Sequence, residues 1–161
     1  MGKLAYVPFA VSGATTTVDL VECAPASGKP ITVRGFLVGQ KSEITEAQEE
    51  VLDIRLTRFT GGTITSGSGG GSGTAFDPDG TDTAVGATFE TGNTTLATRT
   101  VSGTTDELRF PAQVRNTPFE YWFPAKEFGF KARSTDLILL RIGTAPADAI
   151  DLWGWICIEE E

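Results

Sequence analysis

TGGTITSGSGGGSGTAFDPDG occupies residues 60–80, near the middle of a chain of 161 residues. Seven of the thirteen residues from Gly61 to Gly73 are glycine, and most of the others are Ser or Thr. Such a segment is either a linker between two domains or a long loop within one. The strands on its two sides decide which.

Before it, KLAYVPFAV (3–11) places Ala5, Val7, Phe9 and Val11 on one face by period-two alternation. Pro8 cannot donate to a ladder, so this strand belongs at a sheet edge. TTTVDLVEC puts Val18 and Leu20 on one face and Val21 and Cys23 on the other, and ITVRGFLVG is rich in β-branched residues. SEITEAQEE (42–50) reads as a short helix with Ser42 as its cap. VLDIRLTRF is the cleanest half-buried strand, with Leu52, Ile54 and Leu56 opposed to Asp53, Arg55 and Thr57. After the stretch come AVGATFET, TRTVSG, DELRFP and FEYWFP as short strands, then TDLILLRIG and AIDLWGWICIEE as long ones.

Split at the glycines, each half would be a small sheet with open edges and a thin core. Joined, they make one antiparallel sandwich. The expected fold is therefore all-β: residues 1–161 as one jelly-roll-like sandwich of about eight strands, with one short helix and residues 61–80 as a long internal loop. Glycine disfavours order, so this loop is expected to be mobile in the isolated chain and ordered only against a neighbour.

The net charge is −8 and the isoelectric point about 4.6. That balance repels phosphate and argues against a nucleic-acid partner. No run reaches signal-peptide or membrane-spanning form, so no membrane is expected and folding is expected in a cytoplasm. Cys23 and Cys157 each lie in apolar surroundings and read as buried free thiols, a disulfide between them staying open only if the N- and C-terminal strands adjoin.

The chain has no histidine, which removes His-based triads and most catalytic zinc sites. The glycine stretch lacks the Gly-Lys-Ser/Thr ending of a phosphate loop. Asp77, Asp79 and Asp82 resemble part of a calcium loop, but Ala75 and Gly86 fall where its first and last ligands belong. A looser cation site there stays open. No catalytic residue, metal site or cofactor is assigned, and the chain is not expected to be an enzyme.

The aromatics carry more. Trp153 and Trp155 share a face that Cys157 continues, while Leu152, Ile156 and Ile158 occupy the other. LILL at 137–140 is equally two-sided. A strand in a sandwich has one core face, so a loop or a neighbouring subunit must cover the second. Trp153, Trp155, Leu139, Tyr121 and Trp122 are thus candidate interface residues. Exposed, the tryptophans would instead make a sugar-stacking platform.

AYVPFAVSGATTTVDLVE, the SGKP loop, the acidic segment, the charged strand, TSGSGGGSGTAFDPDGTDTA, FETGNTT and APADAIDLWGWICIEE follow in an order that resembles small structural proteins of tailed bacteriophages. The resemblance implies a jelly-roll-like virion component, a decoration or cement protein on the outer capsid surface, made in the bacterial host's cytoplasm. The resulting expectation is a homotrimer that bridges copies of the major capsid protein. Alternatives are a tail, head–tail connection or fibre-attachment protein and, from another class, a carbohydrate-binding β-sandwich module.

Overall fold

A computed structural model describes residues 2–42, 50–80 and 84–161. The strands are β1 (Lys3–Ala14), β2 (Val18–Ala24), β3 (Ile31–Gln40), β4 (Leu52–Thr60), β5 (Thr63–Thr65), β6 (Gly71–Ser72), β7 (Thr88–Asn93), β8 (Thr98–Thr100), β9 (Thr104–Ala112), β10 (Phe119–Trp122), β11 (Lys131–Ala132), β12 (Leu137–Ile142) and β13 (Ile150–Glu160). A 3-10 turn spans Lys126–Phe128, and the described residues include no α-helix. The helix expected at 42–50 falls almost wholly outside the described residues. Thirteen strands are described against the eight or so expected: the segment between β4 and β9 contributes four, β5 to β8, and β11 adds another after the 3-10 turn.

Two antiparallel sheets face each other. One runs β1-β13-β3, with β10 and β11 sharing the far edge of β3; the other runs β6-β7-β2-β12-β4-β9. Strands from the two sides of the glycine stretch interleave: β13 lies between β1 and β3, and β12 between β2 and β4. The stretch therefore does not divide two separately paired halves. One apolar cluster holds Val7, Phe36 and Leu56 from before it together with Phe89, Leu140 and Ile156 from after it.

The inward faces follow the period-two pattern at β1, β4 and β13. β2 departs from it. Val21 pairs with Leu140 but Asp19 with Arg141, so one residue of β2 is extra at that step. This bulge sends Val18, Leu20, Val21 and Cys23 all into the core and turns Asp19 and Glu22 to the other side. The two-faced apolar reading of β2 is corrected accordingly.

Residues 61–80 are also unlike the expected free loop, for they are fastened to their own chain. β5 pairs with β8, β6 with β7, and Ser68 bridges Thr95. The Gly67 N–H donates to Glu22 Oε2 at 2.9 Å, and the Gly70 N–H to Asn93 Oδ1 at 3.2 Å. The Ala97 N–H donates to Asp19 Oδ2 at 2.7 Å, and Arg141 holds the same carboxylate with Nε at 2.7 Å. Glycine serves close approach here. A Cβ on Gly67 would lie 2.7 Å from the Thr95 carbonyl oxygen, and one on Gly70 would overlap that of Thr91.

Candidate docking face

β13 is flanked by β1 and β3, and residues directly opposite each other in an antiparallel pair share a face. Trp155 lies between Pro8 and Leu37, Trp153 between Ala10 and Gly39, and Cys157 between Tyr6 and Gly35. Trp122 on β10 is opposite Gly35 as well. The outer side of the five-stranded sheet is therefore aromatic.

The two glycines of β3 make this face flat. A Cβ on Gly35 would come within 2.6 Å of the Trp122 indole, and one on Gly39 within 3.2 Å of the Trp153 indole. Each indole thus rests where a side chain would stand. Trp122 packs on Trp155 with ring centroids 5.2 Å apart, and Tyr6 meets Trp155 edge-on at 5.2 Å. Tyr6 stacks on Phe76 at 5.6 Å and an interplanar angle of 17°. Phe76 is held there by two backbone hydrogen bonds with Tyr6, of 2.9 and 3.0 Å. Trp122, Trp153, Phe76 and Leu4 stay 43, 42, 53 and 41% exposed. A contiguous exposed patch of this kind marks an interaction surface more often than chance.

Polar groups on the face are few. The Trp122 N–H donates to Glu120 Oε1 at 2.6 Å. Along one rim, Glu159 pairs with Arg34 at 3.1 Å and with Lys126 at 2.9 Å. Burial pushes the Cys157 thiol up to about 11, and burial, ahead of the neighbouring Cys157 and Glu120, raises the Tyr6 hydroxyl. Burial also raises Cys23. Both cysteines are free and buried, as the sequence implied, and neither supplies a thiolate at neutral pH. The arrangement can stack and exclude water; its described groups offer no poised nucleophile.

Past Phe76 the face meets a cavity of about 630 Å³ between β1 and the start of β7, walled by Leu4, Ala5, Phe76, Val85, Ala87 and Phe89. Asp77 stands at its margin. Its Oδ1 accepts the Asp79 N–H at 2.9 Å, and its carbonyl accepts the Gly80 N–H at 3.2 Å. Asp77 and Asp79 so close a turn in which Gly80 takes φ +67°. Asp82 lies outside the described residues. Among those described, no three His, Cys, Asp or Glu side chains gather as a metal site.

The five sequence candidates separate. Trp122, Trp153 and Trp155 share the outer face. Tyr121 turns inward, packing on Phe110 at 4.9 Å and Phe123 at 5.1 Å. Leu139 is wholly buried in the other sheet, beneath Ile64 of β5 and Ala97, the residue before β8. Its second face is covered by its own chain, so it offers nothing to a neighbouring subunit. Tyr6 and Phe76 join this face without being among the sequence candidates. The alternation that buries Ala5 and Val7 turns Tyr6 outward, whereas no periodic signal announces Phe76.

No protein-family model matches the chain, and no curated protein or solved structure shows a significant match to it.

Proposed function

We propose that this chain is a structural protein of a tailed-phage virion that decorates the outer capsid surface and docks through its aromatic face. The observation that carries the reading is that face: large rings packed against glycine on one side of a sheet, in a protein of net charge −8. Acidity keeps such a protein soluble and away from the genome, so association is left to a defined apolar patch. Trp and Tyr are the residues that most often dominate such contacts.

Strand order supports the jelly-roll reading. Setting aside β5–β8 and β11, the remaining strands can be numbered one to eight along the chain. They fall as 1-8-3-6 in one sheet and 2-7-4-5 in the other. That interleaving is the double Greek key of jelly rolls, an architecture common in viral shells and lectins. Mechanistically, each copy would bury its rings against a capsid subunit or a neighbouring copy, forming a homotrimer only once seated on the shell, adding contact area across its joints. Imaging of an intact particle tests this. Density for the protein distributed over the capsid lattice supports it; a ring at one vertex or density along the tail assigns it to the head–tail connection or tail instead.

A second reading has its own observation. Trp122 and Trp153 pack over glycines of β3 and stay 43 and 42% exposed, and exposed indoles on a sheet also suit stacking of sugar rings. Tryptophan emission unchanged across a panel of glycans excludes it; a saturable shift lost in Trp153→Ala supports it.

A further inference from the structure

β9 ends the six-stranded sheet. It pairs with β4 over all nine of its residues and, among the described residues, with no other strand. The Asp53 carbonyl accepts the Gly143 N–H on the β12 side of β4. Odd residues of β4 therefore turn their peptide groups toward β12, and even residues toward β9. Leu108, opposite Leu56, bonds to β4; Thr105, Glu107 and Arg109 direct their N–H and C=O groups away from the sheet. Pro111 falls in the same outward set, where a missing N–H breaks no ladder bond. Among the described residues, no backbone hydrogen bond reaches these outward groups.

The side chains make this edge self-complementary. Laid antiparallel on a second copy about Leu108, the strand sets Glu107 opposite Arg109, Arg109 opposite Glu107, and Leu108 opposite itself. Leu108 is 37% exposed. The Arg109 side chain is 61% exposed, and its guanidinium already lies 2.8 Å from Glu107 in its own chain. The region is also locally neutral in an acidic protein. Arg58 pairs with Asp106 at 2.5 Å, and Arg55 with Asp53 at 2.5 Å and Glu107 at 3.6 Å. Repulsion between copies is thereby removed at this edge. The edge of β1 differs, being interrupted by Pro8 and by the Tyr6–Phe76 bridge.

We propose that the free edge of β9 is a homodimerisation edge, where two copies pair antiparallel about a two-fold axis through Leu108 and join their six-stranded sheets. The occupant is a second copy because opposite charges meet only when the strand is read against itself. The proposal is independent of the aromatic face, which lies on the other sheet.

Leu108→Cys tests the register. Across the axis the two Leu108 residues form a non-hydrogen-bonded pair with Cα atoms about 4.5 Å apart, within the span of about 4.4–6.8 Å that a disulfide bridges. Under mild oxidation the variant is expected to become a covalent dimer at least about tenfold faster than Val101→Cys, a control on a residue 94% exposed. The native Cys23 and Cys157 are 0 and 1% exposed and do not compete. In sedimentation, the unmodified protein is expected to dimerise with concentration, and Arg109→Glu to weaken the dimer about tenfold or more. Trp153→Ser should leave the dimer intact, which separates this proposal from capsid docking. Equal cross-linking of the two cysteine variants, a wild-type monomer at millimolar concentration, or a dimer indifferent to Arg109→Glu overturns the proposal.

Discussion

The Glu22 carboxylate accepts the amide proton of Gly67 at 2.9 Å and so ties the middle of the glycine stretch to β2. Asp19 does the same for Ala97, the residue before β8. Two acidic side chains that the β2 bulge turns off the core thus hold a flap over β12. The flap seals Leu137 and Leu139, leaving the outer side of the opposite sheet as the aromatic one.

Glycine in this flap is a matter of space. Gly70→Ala forces a methyl group into the Thr91 carbonyl and is expected to lower unfolding free energy by about 1–3 kcal/mol. Gly71→Ala, where a Cβ meets nothing within 4 Å, is expected to change it by less than about 0.5 kcal/mol. Chemical denaturation of the two variants makes the comparison. Equal effects would mean that the glycines serve flexibility alone.

The Asp19–Arg141 pair is buried, and Arg141 also donates to the Ala97 carbonyl at 3.2 Å. Burial raises the Asp19 carboxyl against the pull of Arg141. Arg141→Met leaves that acid without its counter-charge and is expected to cost about 3–5 kcal/mol at neutral pH. The penalty should shrink on acidification, because a protonated Asp19 needs no cation. Unfolding curves at neutral and acid pH measure both parts, and a penalty unchanged by pH would contradict the assignment.

At the C-terminal rim, Glu161 pairs with Lys126 at 2.8 Å and Lys131 at 2.6 Å. Those hydrogen bonds, Lys126's first, hold its carboxyl down at about 2. The hydrogen bond from Arg55 also lowers the Asp53 carboxyl. Both acids take up protons more readily in the unfolded chain. Their contribution is therefore complete above the ordinary carboxylate range and is lost as pH falls through it, for Glu161 from about 4.5 down through about 2. The stability difference between wild type and Glu161→Gln should vanish over that window and be small in 1 M salt, since these groups are open to solvent. A difference undiminished at pH 2 contradicts the pairing.

How much of this could be read from the residues varies with the physics. The alternation at Leu52, Ile54 and Leu56 reports a strand with one core face, because period two is local. The common face of Trp153 and Trp155 follows from the same spacing. What covers a second apolar face is not local. Ile64 and Ala97 reach Leu139 through carboxylates on β2, and a glycine-rich sequence carries no periodicity to signal it. The turn of β2 rests on one extra residue, invisible until its partner strand is known. Tyr121 and Trp122 are neighbours on a four-residue strand, and only the register with β3 decides which faces out.

Thiol chemistry gives a simple check on packing. With Cys23 and Cys157 both buried, the folded protein should not react with an aromatic disulfide reagent at neutral pH, and denaturant should release two thiols. Rapid reaction of either cysteine before unfolding would place it elsewhere.

Binding to capsids stripped of the protein tests the central claim most directly. Wild type should bind saturably at a fixed ratio to capsid subunits, while folded Trp122→Ser and Trp153→Ser variants should lose affinity at least about tenfold, as for buried aromatic anchors. No binding by the wild type, or binding undiminished in both variants, would contradict docking through the aromatic face.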